Sequence, residues 1–218
     1  MAKVVIFGVG EFAEVADYYL KHDSEHEVVA FTVNREYLDG EEAFGRPLVA
    51  FEDLAESYPP AECSMFVAVG FSGVNSRRAA AYEMAKGAGY ELITYVSSKA
   101  TYYDTPIGDN CFVFEDNTIQ PFSSMGNNVV LWSGNHVGHH AEIGNHCFIT
   151  SHVVISGGVK VHDYAFLGVN ATLRDHIEIG ERCVVGAGAL IMKSTEPSSV
   201  YTSPRAERYR LDSNQIQM

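Results

Sequence analysis

The feature that most constrains this fold is a six-residue repeat running from Ile107 to Glu196. A large apolar residue opens each block of six without a slip in phase, and the position four residues later is mostly small or branched. A fixed period sustained over this length must be explained before any local element. The opening positions are Ile107, Val113, Ile119, Met125, Leu131, Val137, Ile143, Ile149, Ile155, Val161, Leu167, Leu173, Ile179, Val185 and Ile191.

A period of six fits neither an amphipathic helix nor a half-exposed strand, whose patterns repeat near 3.6 and 2 residues. It fits a short strand plus a corner, so three blocks close one triangular coil of eighteen residues. We expect a parallel β-helix of five coils, because the hairpin turns of a β-sandwich would break the phase. Glycine often follows the apolar residue, as at Gly108 and Gly138. We expect it to help the chain turn corners, since unusual φ angles cost it little.

The first part of the chain has a different pattern, in which apolar strands alternate with helices. Strands are predicted over 3–7, 27–33, 65–69 and 91–96, and helices follow the first and third of them. Such alternation is typical of a parallel α/β, Rossmann-like domain. We therefore predict two domains, an α/β domain over residues 1–104 and a β-helix with a C-terminal tail over residues 105–218.

Two glycine-containing strand ends in the α/β domain are candidates for binding a nucleotide or nucleotide-sugar. The segment Gly8–Ala13 is a lone Gly-x-Gly-x-x-Ala pattern, which also occurs in tight turns without a ligand. Asn34 stands where NAD-binding folds carry an acidic residue, which disfavours NAD. Arginines near these turns suit phosphate but are equally compatible with solvated surface charge. The candidate substrate-binding residues are Gly8, Gly10, Asn34, Arg35, Gly70, Asn75 and Arg78.

Composition limits the possible partners and location. The net charge of −13 disfavours nucleic acid and anionic membranes, although a local basic patch still permits a small anionic ligand. No run of about 18 apolar residues occurs, and the N-terminus lacks a signal-peptide pattern, so we predict a cytoplasmic protein. Cys111, Cys147 and Cys183 are spaced two coils apart, too far for disulfides at roughly 9–10 Å.

The densest histidine cluster, 136–140, lies within the repeat. His139 and His140 fall at an outward corner, where a histidine is suited to act as a general base near neutral pH. Gly157 lies eighteen residues after His139 and therefore stacks beside it. Its N–H could stabilise the oxyanion of a thioester, although glycines here are equally compatible with simple corner geometry.

Further positions suggest where an extended, anionic cofactor would bind. Gly158 follows Gly157, and Val169 and Ala187 are again eighteen residues apart, so their backbones could contact a pantetheine arm. The segment 193–210 carries four basic and two acidic residues, and we take Lys193 and Arg205 as candidate ligands of an anionic cofactor. Ordinary tail charge explains the segment equally well.

The repeat resembles the left-handed β-helix of the hexapeptide-repeat acyltransferases. With the α/β domain, the chain is similar to their nucleotide-amino-sugar N-acetyltransferase branch, which includes relatives acting on 4-amino sugars and NeuD-like sialic acid O-acetyltransferases. The strongest local match is Gly138–Gly144. The resemblance implies left-handedness, a homotrimer with sites between prisms, acetyl-CoA as cosubstrate and no metal. It also implies a nucleotide-linked amino sugar as acceptor, His139 as catalytic base and Gly157 as thioester-binding amide.

One departure concerns the residue after the base, which is often acidic in the family but is His140 here. Either Glu142 or Asp116 orients the base, or the base is unassisted.

Three other functions remain open. γ-Class carbonic anhydrases use the same prism, and His140 and His176 match their zinc-ligand spacing, but Glu181 stands at the third position. O-acetylation of a sugar would use the same machinery. A non-catalytic scaffold or nucleotide sensor is the third.

Overall fold

The computed structural model describes residues 2–208 and 210. Its α/β part is built from the following elements: β1 (Lys3–Phe7), α1 (Glu11–His22), β2 (Glu27–Val33), β3 (Glu42–Ala43), β4 (Arg46–Ala50), α2 (Leu54–Ser57), β5 (Cys63–Val67) and α3 (Ser76–Gly87). Short 3-10 helices occupy Arg35–Tyr37 and Phe51–Asp53.

These strands form one sheet in the order β3-β4-β2-β1-β5, parallel except for the β3–β4 pair. The interior strand β1, which lies between β2 and β5, is buried from Val4 to Phe7, as expected of a strand covered on both faces. The strands predicted over 3–7 and 27–33 are confirmed, whereas β3 and β4 were not predicted. The third strand begins and ends two residues before its predicted limits.

The remaining strands each have two residues and are β6 (Tyr95–Val96), β7 (Thr101–Tyr102), β8 (Phe112–Val113), β9 (Thr118–Ile119), β10 (Ser124–Met125), β11 (Val130–Leu131), β12 (His136–Val137), β13 (Glu142–Ile143), β14 (Phe148–Ile149), β15 (Val154–Ile155), β16 (Lys160–Val161), β17 (Phe166–Leu167), β18 (Thr172–Leu173), β19 (Glu178–Ile179), β20 (Val184–Val185), β21 (Leu190–Ile191) and β22 (Val200–Tyr201).

These strands form the three parallel sheets of a left-handed β-helix, as predicted. From β8 to β21, hydrogen-bonded partners lie eighteen residues apart, as Met125 and Ile143 do. The apolar opening positions and the small residues four places later fill the interior, including the buried free thiols of Cys111, Cys147 and Cys183.

The segment 91–96 passes from one domain to the other. Leu92 forms a parallel bridge with Met65 at the edge of the α/β sheet, and three residues later β6 pairs with β8 of the β-helix. β7 pairs with β9 in the same way, so stacking begins ahead of the repeat itself.

The expected reason for the repeat's glycines was wrong. The positive φ angles of the corners belong mainly to Asn, Asp and His residues, which tolerate that region better than most. A Cβ on Gly138 would instead lie 2.6 Å from the Gly157 nitrogen of the next coil. Glycine is therefore required here by close approach between coils.

The domains are joined by an aromatic contact. Phe112 and Phe148 point outward from the sheet that contains β8 and β14, yet they are buried because the α/β domain covers them. Phe12 of α1 packs edge-on against both rings, at centroid distances of 5.8 and 6.5 Å. This packing places the carboxyl ends of the α/β strands beside the β-helix.

Candidate active site

A cleft of about 780 Å³ opens at the carboxyl ends of β1, β2 and β5. Four of the predicted substrate-binding residues line it: Gly8, Gly10, Asn34 and Gly70. Among the lining residues, Arg77 carries the one positive charge and Glu11 the one negative charge. The cleft is thus a mostly apolar space with a glycine-rich floor, as expected for a small-molecule site.

The glycine turn after β1 differs at its two glycines. Gly8 has a φ of +127°, and a Cβ there would lie 2.6 Å from the Ala68 carbonyl oxygen. Gly10 is the N-cap of α1 with φ −85°, and a Cβ there would meet nothing within 4 Å. Within residues 2–208 and 210 no side chain caps the first turn of α1, and the N–H groups of Glu11 and Phe12, which line the cleft, donate no hydrogen bond.

This contrast gives a stability prediction. Gly8→Ala is expected to lower the free energy of unfolding by about 1–3 kcal/mol, since it combines a strained φ with a backbone clash. Gly10→Ala has neither defect and serves as the matched control. Urea denaturation followed by circular dichroism measures both, and equal midpoints for the two variants would contradict this explanation of Gly8.

Arg35 lies beside the cleft but is engaged elsewhere. Its guanidinium donates to both carboxylate oxygens of Asp53 at 2.6 Å, and its backbone N–H donates to Glu52. The hydrogen bond to Asp53 raises the pKa of Arg35. Residues that the sequence reasoning missed, Tyr37, Arg77 and Met84, line the cleft instead. Arg77 and Arg78 are adjacent on α3, and nothing in the sequence indicated which of the two arginines would face the cleft.

Arg78 and Asn75 lie in the domain interface, both 0% exposed. Arg78 donates to the carbonyl oxygens of His146 at 2.8 Å and Asn128 at 3.3 Å, and burial lowers its pKa to about 10. Asn75 donates to the Tyr164 carbonyl at 2.9 Å. These side chains therefore join α3 to the β-helix, and Arg77 replaces Arg78 as the arginine that faces the cleft.

The second part of the site is a corner of the β-helix where His139 and Gly157 stack in adjacent coils. A Cβ on Gly157 would lie 2.8 Å from Nε2 of His139, so only glycine leaves room for this ring. The Gly158 N–H donates to the His139 carbonyl at 2.9 Å, and Gly158 has a φ of +66°. In the described chain the Gly157 N–H donates no hydrogen bond, which leaves it open to a ligand.

The base candidate has an unexpected neighbour. Nδ1 of His139 lies 3.0 Å from Nδ1 of His140, and both side chains are exposed. Neither predicted carboxylate contacts His139. Glu142 pairs with Lys160 at 3.4 Å, while Asp116 lies on another corner.

The predicted cofactor-binding residues are all accessible except the two glycines, which are partly buried. Val169 and Ala187 are exposed in adjacent coils, and their N–H groups donate no hydrogen bond within residues 2–208 and 210. Lys193 and Arg205 are exposed further along the chain.

The cysteines are unsuited to covalent catalysis. Cys111 and Cys147 are fully buried inside the β-helix, and burial raises the pKa of each thiol to about 12. A thiolate is the reactive form of cysteine, so these side chains are structural.

No group of three or more His, Cys, Asp or Glu side chains in residues 2–208 and 210 is arranged to hold a metal ion. His176 packs against Gly158, the residue that lies eighteen positions after His140 and eighteen before His176. None of the helices in this part of the chain has both the length and the apolar character needed to cross a bilayer.

Comparison with known proteins now defines the class of fold. Residues 122–157 and 158–193 match the family model "Bacterial transferase hexapeptide (six repeats)". The chain thus carries bacterial transferase hexapeptide repeats, and the predicted resemblance is confirmed. No curated protein sequence matches the chain significantly.

Solved structures share the fold over nearly the whole chain. A mutant of perosamine N-acetyltransferase from Caulobacter crescentus, in complex with CoA and GDP-perosamine, is 22% identical with TM-score 0.79, covering 93% of this chain and 94% of that one. The acetyltransferase domain of PglB from Neisseria gonorrhoeae FA1090, with acetyl coenzyme A, is 20% identical with TM-score 0.78, covering 92% and 96%. WeeI from Acinetobacter baumannii AYE is 17% identical with TM-score 0.77, also covering 92% and 96%.

Proposed function

We propose that this protein is an acetyl-CoA-dependent N-acetyltransferase acting on a nucleotide-linked 4-amino-4,6-dideoxy sugar. The observation that carries the proposal is the pairing of an exposed imidazole, His139, with the open N–H of Gly157 on one corner of the β-helix. A base and an oxyanion donor are the two groups that direct acyl transfer to an amine requires. The cleft of the α/β domain supplies a separate place for the nucleotide.

The similar structures support this choice of substrates. Perosamine N-acetyltransferase was solved with CoA and GDP-perosamine, and the PglB domain with acetyl coenzyme A. Because the fold is shared along almost the full chain, we assign the same two classes of ligand here. The nucleotide diphosphate would contact Gly8, Gly10 and the open first turn of α1, with Arg77 as the nearby cation.

The chemistry needs no covalent enzyme intermediate. His139 accepts a proton from the sugar amine through Nε2 as the amine nitrogen bonds to the thioester carbonyl carbon. The Gly157 N–H donates to the carbonyl oxygen, which becomes an oxyanion in the tetrahedral intermediate. The intermediate collapses to the amide, the carbon–sulfur bond breaks, and the proton held by His139 can neutralise the departing thiolate.

The remaining candidate backbone ligands lie at a second corner of the β-helix, between β17 and β18 and between β20 and β21, whereas His139 and Gly157 lie at the corner that follows β12 and β15. The open N–H groups of Val169 and Ala187 suit an extended pantetheine arm, and Lys193 and Arg205 suit the phosphates of the cosubstrate. We place this arm between neighbouring β-helices of a homotrimer. The outward face that carries Val154 and Leu190, 37% and 62% exposed, is the apolar surface available for such packing. A cytoplasmic location stays a prediction.

The packing of the His139 ring against Gly157 can be tested by adding one methyl group at position 157. In Gly157→Ala the new Cβ meets the movable His139 ring, so the fold should tolerate it while the base is displaced. We expect kcat to fall roughly 10- to 100-fold, because small displacements of reacting groups slow a reaction by about this factor. The melting temperature should change little. A variant with wild-type kcat would contradict the placement of the catalytic base against Gly157, because the substitution displaces the His139 ring and leaves the backbone N–H in place.

The overall proposal is tested with a panel of nucleotide-linked 3- and 4-amino sugars, assayed by release of free thiol from acetyl-CoA. Reaction with a 4-amino sugar is the expected result. If only a sialic acid or another hydroxyl acceptor reacts, the protein is an O-acetyltransferase. If no acceptor reacts and the protein still binds nucleotide, it is a sensor or scaffold.

A further inference from the structure

The proposed base must be held in one orientation and one tautomer, and no carboxylate does this within residues 2–208 and 210. Nδ1 of His140, 3.0 Å away, is the side-chain atom hydrogen-bonded to the His139 ring. Two neutral imidazole nitrogens at this distance form a hydrogen bond only when one carries hydrogen and the other a lone pair. The position of that proton therefore decides which nitrogen of His139 can accept another.

His140 has contacts of its own with the preceding coil. Its backbone has a φ of +58°, and its ring lies over Phe122 with centroids 4.9 Å apart. The two histidine rings are nearly perpendicular, at 86°. The backbone N–H of His139 donates to the side-chain oxygen of Gln120 at 2.9 Å, which anchors the backbone of His139 to the preceding coil. The pair is thus supported from the preceding coil.

We propose that His140 is the positioning residue for His139, accepting a hydrogen bond at its own Nδ1 from the Nδ1–H of His139. This inference rests on the proposed function. In this tautomer His140 keeps its proton on Nε2. Nε2 of His139, beside Gly157, then carries no hydrogen and has a lone pair that can accept a proton. In the opposite tautomer His139 Nε2 carries hydrogen and cannot act as the base.

The pair works without a negative charge. When Nε2 of His139 takes the proton of the amine, its Nδ1–H continues to donate to a neutral imidazole. A neutral acceptor orients the ring as a carboxylate does, but it gives the imidazolium less electrostatic stabilisation. His140→Asp therefore keeps a hydrogen-bond acceptor and adds a negative charge, while losing the ring that packs against Phe122.

Two matched variants separate orientation from packing. His140→Phe keeps an aromatic ring on Phe122 and removes the acceptor, and Phe122 shows that this column accepts phenylalanine at positive φ. Aspartate also tolerates that conformation. We expect His140→Phe to lower kcat roughly 10- to 100-fold, the loss of one hydrogen bond to a charged group. KM for acetyl-CoA should be nearly unchanged, and His140→Asp should retain clearly more kcat than His140→Phe.

Nitrogen-15 NMR of the histidine rings provides a readout that needs no substrate. The wild type should show His139 with hydrogen on Nδ1 and none on Nε2, and His140→Phe should lose this preference. Equal or higher kcat in His140→Phe than in His140→Asp would overturn the proposal, as would an Nε2–H tautomer of His139. If the wild type acetylates no acceptor, the proposed function fails, while the spectra still test the hydrogen bond.

Discussion

His139→Ala is expected to lower kcat for acetyl transfer by roughly a hundred- to ten-thousand-fold, the range typical of a general base. The ring is exposed at a corner, and its backbone contacts to Gln120 and Gly158 do not involve the imidazole. The fold should therefore keep its melting temperature. Steady-state thiol release with a 4-amino nucleotide-sugar measures the effect, and KM for acetyl-CoA should change little.

The control for His139→Ala is another exposed histidine of the β-helix. His162 pairs with Glu178 at 3.0 Å on the face that carries β13 and β16, away from Gly157. His162→Ala should retain wild-type kcat. Equal losses in both variants would show that the effect is not specific to the proposed base, and an active His139→Ala would refute the mechanism.

Arg78→Ala is expected to lower the free energy of unfolding by about 3 kcal/mol or more. The substitution leaves the buried carbonyls of Asn128 and His146 without their donor, at about 1–3 kcal/mol each, and adds a cavity in the interface. Arg78→Lys should lie between wild type and alanine, because an ammonium keeps the charge but cannot span the same acceptors. Urea denaturation measures the series.

The neighbouring arginine is the matched control for this series. Arg77 is exposed and lines the cleft, so Arg77→Ala should keep the denaturation midpoint and instead raise KM for the nucleotide-sugar by about tenfold, the loss of one exposed phosphate contact. The two variants should thus show opposite patterns. A lower midpoint for Arg77→Ala with an unchanged one for Arg78→Ala would reverse the roles assigned from burial.

Much of the β-helix was predictable because its order is local and periodic. The eighteen-residue coil follows directly from the apolar positions. Its length predicts that Gly157 lies beside His139 in the next coil, as the structure shows. The sequence did not reveal why glycine follows the apolar residue, since the approach of Gly138 to the Gly157 nitrogen exists only between stacked coils.

The α/β domain was predictable in its strands but not in its side-chain roles. Gly8, Gly10, Asn34 and Gly70 reach the cleft because strand ends of a parallel sheet meet at one edge. Arg77 and Arg78 are adjacent residues with identical side chains. Their different fates depend on which side of α3 meets the β-helix, a contact between segments about 70 residues apart.

The sequence by itself thus determined the period, the coil and the candidate base, because each depends on spacing along one regular element. Only the tertiary structure decided which arginine is buried and what contacts the base. The sequence reasoning considered Glu142 or Asp116, but Glu142 pairs with Lys160 on its own sheet, while His140 turns through a positive φ toward His139. The direction of a side chain at a corner depends on backbone conformation and packing between coils, which a spacing rule does not contain.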